Sequence, residues 1–136
     1  MGEYQQTIDW LCSLDALRGM DFRLERLHAA LGALGNPERG LAAIQVAGTN
    51  GKGSTAAMIH SVYSEAGYRC GLFTPPHLQT FRERIRVGAD FIDEDRVVDL
   101  AERVKWAGSQ VEAELTFFEF GTLMALLEFS LADLDM

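Results

Sequence analysis

The residues best suited to chemistry lie in one short stretch, Val46-Ala47-Gly48-Thr49-Asn50-Gly51-Lys52-Gly53-Ser54-Thr55. Three glycines let the backbone bend so that successive N–H groups point at a common anion. A helix opening at Lys52 adds the partial positive charge of its N-terminus. Lys52 brings a full charge for β- and γ-phosphates, and Ser54 or Thr55 can offer a hydroxyl to phosphate or Mg²⁺. The match to G-x-x-x-x-G-K-[ST] is incomplete, because Val46 stands at the first glycine position and Gly53 at the hydroxyl position. By pattern this is a variant phosphate loop. Its alternative is an ordinary glycine-rich turn, which the lysine set between two glycines, with strand before and helix after, argues against.

Such a loop needs a strand to deliver it and a helix to receive it. Residues 41–47 form a short apolar run that fits a buried strand. A helix from about Lys52 to Ala66 follows, closed by Gly67, and residues 69–73 read as a second buried strand. Strand, loop, helix, strand is one βαβ unit, so the two strands are expected to be parallel. Upstream, residues 4–14 read as an amphipathic helix carrying Tyr4, Ile8 and Leu11. A polar turn at Arg18-Gly19 precedes Leu24, Leu27, Leu31 and Leu34 at helical spacing, and Gly35-Asn36-Pro37 stops that helix.

Downstream, Thr74-Pro75-Pro76-His77 must be a loop, since two prolines break any ladder. Residues 82–87 alternate as a strand would and place Arg82, Arg84 and Arg86 on one face, either a solvated face or a basic row for an anionic substrate tail. A turn at Gly88-Ala89-Asp90 leads to Phe91-Ile92. Asp93 is a fitting N-cap for a helix to about Ala107, with Val97, Ala101 and Val104 facing inward. Thr116-Phe117-Phe118-Glu119 has capping-box spacing and starts a last helix, with Phe117, Phe120, Met124, Leu127 and Leu131 on one face and Phe118, Ala125 and Phe129 on another. A helix apolar on two faces is normally buried between layers, and a βαβα order calls for one more strand after it. Each large apolar side chain left uncovered forfeits ~1.5–3 kcal/mol. The expectation is therefore an α/β chain, a P-loop-type three-layer αβα arrangement with a mainly parallel sheet, incomplete on its growing side and continued by further chain or covered by a partner.

Composition bounds the function. The chain has 136 residues, with 12 Lys and Arg against 20 Asp and Glu for a net charge of −8, and 48% apolar residues. That is enough to build one core, and too anionic for non-specific binding of nucleic acid or an anionic membrane. No repeat or long linker divides it, and no run approaches a membrane span or a signal peptide. Cys12 and Cys70 lack metal-ligand spacing and read as reduced, buried thiols of a cytoplasmic protein. Trp10 and Trp106 read as packing residues, and His28 and His60 as structural.

Four segments together resemble one family. Gly48 to Ser54 resembles the phosphate loop of the Mur ligase superfamily. Phe73-Thr74-Pro75-Pro76-His77-Leu78, Phe81-Arg82-Glu83-Arg84-Ile85-Arg86 and Thr116-Phe117-Phe118-Glu119-Phe120 are similar to segments of its folylpolyglutamate synthase/dihydrofolate synthase branch, as is Leu24-Glu25-Arg26. The resemblance implies a Mur-ligase central-type ATP-binding portion over residues 1–136, without the C-terminal glutamate-ligase domain, and a monomer at full length. It implies that ATP phosphorylates the carboxylate of dihydropteroate, or of a folate's glutamate tail. The amine of L-glutamate then attacks the acyl phosphate, and ADP and phosphate leave. Such a reaction needs aligned reactants and neutralised charge.

Carried over by resemblance, Thr49, Asn50, Gly51, Lys52, Gly53 and Ser54 hold ATP, with Lys52 and His77 as catalytic candidates. Thr116, Phe117, Phe118 and Glu119 match a stretch that contacts the pterin, and Ala16 to Gly19 roughly match a further pterin loop; Arg82 is a substrate-tail candidate from the alternating basic row alone. The family's Mg²⁺-binding serine is Pro75 here, which has no side-chain oxygen, so Ser54 and Thr74 are left as metal candidates. Further metal ligands, a modified lysine and the closing domain are implied beyond Met136. Without them the 136 residues alone are expected to show little ligase activity. Two other classes compete: a non-catalytic nucleotide-binding fragment, and a small P-loop kinase, which would need a complete Walker motif and a metal-binding aspartate on the next strand.

Overall fold

The computed structural model describes residues 1–18 and 23–136, without the side chains of 16–18. Where a turn at Arg18-Gly19 and a loop from Ala16 are expected, the backbone of Ala16 to Arg18 is still α-helical, and Gly19 lies outside the described residues. Five helices are present among the described residues: α1 (Glu3–Arg18), α2 (Glu25–Ala33), α3 (Lys52–Glu65), α4 (Glu94–Gln110) and α5 (Phe117–Leu131). Three short strands, β1 (Gly71–Phe73), β2 (Ile85–Val87) and β3 (Asp90–Phe91), form one antiparallel sheet in the order β1-β2-β3. Gly71 pairs with Val87 and Phe73 with Ile85, while Val87 pairs with Asp90.

Helices α1, α2, α4 and α5 pack on one another and build the core. The inward spacing of α4 holds, with Val97, Leu100, Ala101 and Val104 all buried. They meet Leu123 and Met124 of α5, also buried, and Leu11 of α1. Helix α5 also touches β1, and the approach is close. A Cβ on Gly71 would fall 2.5 Å from the Phe129 ring and 2.8 Å from Leu134, so only glycine fits there. The last residues run beside this strand: Met136 N donates to Arg69 O at 3.4 Å, and Gly71 N donates to Met136 O at 2.9 Å. One residue bonding to the two neighbours of another is the spacing of a parallel ladder.

Several expectations are corrected. Residues 41–47 form no strand; Ala42 to Gln45 are exposed, and no ladder joins the run to β1 among the described residues. A strand needs a partner for its backbone groups, and among the described residues β1 is bonded along its edges to β2 and to the last residues of the chain. The parallel βαβ pairing is therefore not present in this sheet. The alternating run at 82–87 begins as a 3₁₀ turn, Phe81–Arg84, and becomes a strand only at Ile85. Cys12 is exposed, although Cys70 is buried as expected. Trp106 is 55% exposed, so it is no core residue, whereas Trp10 packs edge-on against Phe120. Phe118 and Leu131 are more than half exposed, so α5 is buried on one broad face only. No helix among the described residues is long and apolar enough to cross a membrane.

Candidate functional site

The phosphate loop is built from glycine geometry. Gly51 lies in the left-handed region at φ 73°, where a side chain is strained, and it is the residue that starts α3. The first intrahelical bond is Thr55 N to Gly51 O at 2.9 Å. The amides of Lys52, Gly53 and Ser54 precede it, and no side chain caps them. Lys52 starts its side chain back across the loop, its Cγ lying 3.9 Å from where a Cβ on Gly48 would sit. Every residue from Ala47 to Thr55 is exposed. Two open hollows lie elsewhere: one of about 410 Å³ lined by Leu34, Trp106 and Leu127, and one of about 290 Å³ beside Trp10 and Lys105. The loop is an open cradle, and neither hollow borders it.

A second cluster is packed. The loop after β1 starts with Thr74, half-buried, whose N–H donates to Arg84 O at 3.1 Å. His77 is half-buried, and its Nδ1 accepts from Arg84 Nε at 2.8 Å. The Arg84 guanidinium lies over the Phe117 ring at 4.8 Å and the Phe81 ring at 5.5 Å, a cation–π arrangement on two rings. Burial pushes this guanidinium below its usual range, while Cys12 and Asp15 of α1 pull the other way. Burial also lowers His77 below the ordinary imidazole value, helped by the Arg84 charge and opposed by Glu83. Glu83 accepts from three successive amides, Leu78, Gln79 and Thr80, at 3.0, 2.8 and 2.8 Å. Those bonds hold its carboxyl below the usual range.

The start of α5 is equally fixed. Thr116 Oγ accepts from Glu119 N at 3.2 Å, and Glu119 Oε1 accepts from Thr116 N at 3.0 Å. The same oxygen accepts from Arg26 Nη2 of α2 at 2.9 Å. Glu119 is buried, and its Oε2 has no hydrogen-bond partner among the described residues.

The expected residues are thus divided. His77 and Phe117 meet through Arg84, and Thr116 and Glu119 share a capping box with Arg26. Phe118 turns away, 59% exposed. Arg82 is tied to the backbone, donating from Nε to Ile92 O at 2.6 Å, while the Arg86 guanidinium covers the Phe91 ring at 4.7 Å. The three arginines form no row, because the 3₁₀ turn rotates them apart. Ser54 and Thr74 offer hydroxyls, but no group of three or more His, Cys, Asp or Glu is placed to hold a metal among the described residues. The donor set is therefore too small for a protein-built Mg²⁺ cage. The sequence reading undervalued Arg84, Glu83 and Arg26. The available signal was a charged pair, Glu83-Arg84, set between two core residues, Phe81 and Ile85.

No family model matches the chain. Individual proteins do, and they define first a class: α/β enzymes of the Mur ligase fold. The chain is 37% identical over 130 residues to a dihydrofolate synthase/folylpolyglutamate synthase of Escherichia coli, covering 93% of this chain and 30% of that protein. It is 42% identical over 111 residues to the Bacillus subtilis protein of the same description, covering 79% of this chain and 26% of that one. Among solved structures, the folylpolyglutamate synthetase of Lactobacillus casei superposes with a TM-score of 0.89 at 32% identity, over 97% of this chain and 34% of that one. The E. coli FolC structure in complex with DHPP and ADP gives 0.85 at 35% identity, over 95% and 31%. The chain belongs to the dihydrofolate synthase/folylpolyglutamate synthase family and spans about a third of the length of these relatives.

Proposed function

We propose that this chain forms the nucleotide-holding part of an ATP-dependent ligase. That ligase joins L-glutamate to dihydropteroate, to the γ-carboxyl of a folate polyglutamate, or to both. The observation that carries the reading is the uncapped first turn of α3, entered through Gly51 in a left-handed conformation with Lys52 beside it. Three uncapped amides at a helix start that opens with a lysine suit the terminal phosphates of ATP, with Thr49, Asn50, Gly53 and Ser54 completing the loop. Three structural neighbours are named as ADP complexes, one of them with DHPP as well.

A carboxylate attacks ATP only when the γ-phosphate's charge is screened and the attacking oxygen is in line. Lys52 and the α3 amides supply the screening. Mg²⁺ would enter with the nucleotide, its phosphates and water providing most ligands, with hydroxyls from Ser54 and Thr74 within the chain's offer. On the substrate side, the unpartnered buried Oε2 of Glu119 suits an N–H donor of a flat heterocycle, and Phe117 suits its face. The sheet is read as completed by chain that the longer relatives have: the parallel spacing at Arg69, Gly71 and Met136 supports a strand added there, and a three-layer arrangement with the 41–47 run as its far edge.

Calorimetric titration with ADP and Mg²⁺ tests the nucleotide site, and incubation with ATP, Mg²⁺, dihydropteroate and glutamate, followed for ADP and amide product, tests the ligase. Binding without product supports a second reading, a nucleotide-binding portion that does not turn over by itself. The small metal donor set and Pro75 favour that outcome for these 136 residues. Absence of ADP binding overturns both.

A further inference from the structure

Two consecutive residues of the Phe81–Arg84 turn govern the loop that carries His77. Glu83 gathers the amides of Leu78, Gln79 and Thr80, and Tyr4 of α1 meets the Thr80 hydroxyl at 2.9 Å, so the far side of the loop is pinned. Arg84 takes the imidazole itself, Nε to Nδ1 at 2.8 Å, from a position fixed by two aromatic rings. A guanidinium nitrogen always carries hydrogen, so the atom facing it must present a lone pair. Nδ1 is then unprotonated, and the one ring hydrogen sits on Nε2. No described residue accepts from Nε2.

We propose that Arg84 is a positioning residue that locks His77 as the neutral Nε2–H tautomer, so that this ring serves as a hydrogen-bond donor to an anionic oxygen and not as a general base or metal ligand. The anion is the part of this inference that rests on the ligase reading, where a carboxylate and phosphate oxygens meet; the tautomer lock stands on the contacts alone. A nitrogen holding its hydrogen has no lone pair for Mg²⁺. The groups that bear on the ring are Glu83 and Arg84, with Cys12 and Asp15 of α1 acting on Arg84. Arg84 and burial keep the ring neutral against Glu83.

The full chain, labelled with ¹⁵N-histidine and ¹⁵N-arginine, gives a direct reading, since it holds three histidines. Long-range proton–nitrogen correlation is expected to show His77 with Nδ1 unprotonated and Nε2 protonated. A coupling across the hydrogen bond should connect Arg84 Nε to His77 Nδ1, and its titration midpoint should lie below the ~6.5 of a solvated imidazole. Arg84→Met, which keeps an apolar stem between the two rings, should erase the coupling, draw the two ring-nitrogen shifts together and move the midpoint up. Addition of ADP with Mg²⁺ should leave the Nε2 hydrogen in place. A hydrogen on Nδ1, no coupling in the unmodified chain, an unchanged spectrum in Arg84→Met, or loss of the Nε2 hydrogen on adding Mg²⁺ each overturns the assignment. The coupling needs no variant, so a misfolded Arg84→Met leaves the test intact. ADP binding by the Gly48–Ser54 loop is measured separately, so failure of the lock and failure of the ligase reading are told apart.

Discussion

Helices α3, α4 and α5 all begin after a turn, and they treat their first amides differently. At α4 the Asp93 carboxylate accepts from Arg96 N at 2.7 Å. At α5 Thr116 and Glu119 exchange two hydrogen bonds, and Arg26 adds a third contact. At α3 a glycine opens the helix and no side chain closes it. The packing follows the same division. α4 and α5 bury an entire face against α1 and α2, while α3 buries only His60. A capped start goes with burial at α4 and α5, but α2, packed in the same core, starts at Leu24 with no side-chain cap either, so packing and not capping separates the two parts. On the function proposed above, the open start of α3 is kept for an anion and its exposed side for further chain. Met58 and Val62, both more than 60% exposed on α3, mark that second surface.

This contrast can be broken from either side. Leu123→Ala, in the fully buried centre of α5, should cost ~2–5 kcal/mol of stability, read as a lowered denaturant midpoint. If it costs under 1 kcal/mol, the helical part is not the autonomous one. Lys52→Ala should weaken ADP binding by roughly 10- to 150-fold, the equivalent of ~1.5–3 kcal/mol for a hydrogen-bonded charge, with thermal stability unchanged. A stability loss with intact binding would reverse the assignment of the two parts.

Both changes fall on features whose local form was legible in the sequence. The α4 and α5 cores could be read because 3.6-residue periodicity needs only local geometry, and because Asp93 and Thr116 announce their own caps. The glycine turn and the helix opening at Lys52 could be read because glycine spacing fixes local backbone geometry, while the phosphate role given to them is the proposal made above. The strand at 41–47 was misread: an apolar run records an intention to be buried, but a ladder depends on a neighbour from elsewhere in the chain. Arg82, Arg84 and Arg86 were misread for a related reason. Alternation implies a strand only if the backbone is extended, and the turn at Phe81–Arg84 instead sends Arg84 inward between aromatic rings. No periodicity rule identifies a buried cation whose partners are Phe117, 33 positions later, and a histidine in a proline-rich loop.

Smaller effects sharpen the contrast. Gly51→Ala should destabilise the left-handed turn by ~1–2 kcal/mol and weaken ADP binding, because the open amides would turn away; a calorimetric titration shows the second. Thr116→Ala removes an N-cap and should cost ~0.5–2 kcal/mol in thermal unfolding without touching ADP affinity. Acid acts on the loop at 77–80. Glu83 and His77 both titrate lower in the folded chain than in the unfolded one, so the unfolded state binds more protons as pH falls. Stability from His77 is expected to fade as pH drops below ~6.5, and that from Glu83 as it drops below ~4.3. Amide exchange at Leu78, Gln79 and Thr80 should quicken over the lower window; protection unchanged at acid pH would mean that Glu83 does not hold them.

The two tryptophans give the contrast a practical edge. Trp10 sits in α1 against Phe120 with Lys105 above its ring, and Trp106 stands open on α4. Both belong to the packed helical part built from α1, α2, α4 and α5. Their emission will report unfolding of that part, with Trp106 open to quenchers in solution and Trp10 partly shielded. It will be nearly blind to a nucleotide settling at Gly48–Ser54, so a silent fluorescence titration says nothing against occupancy there. A reporter placed on the outer side of α3 is the one that would see it.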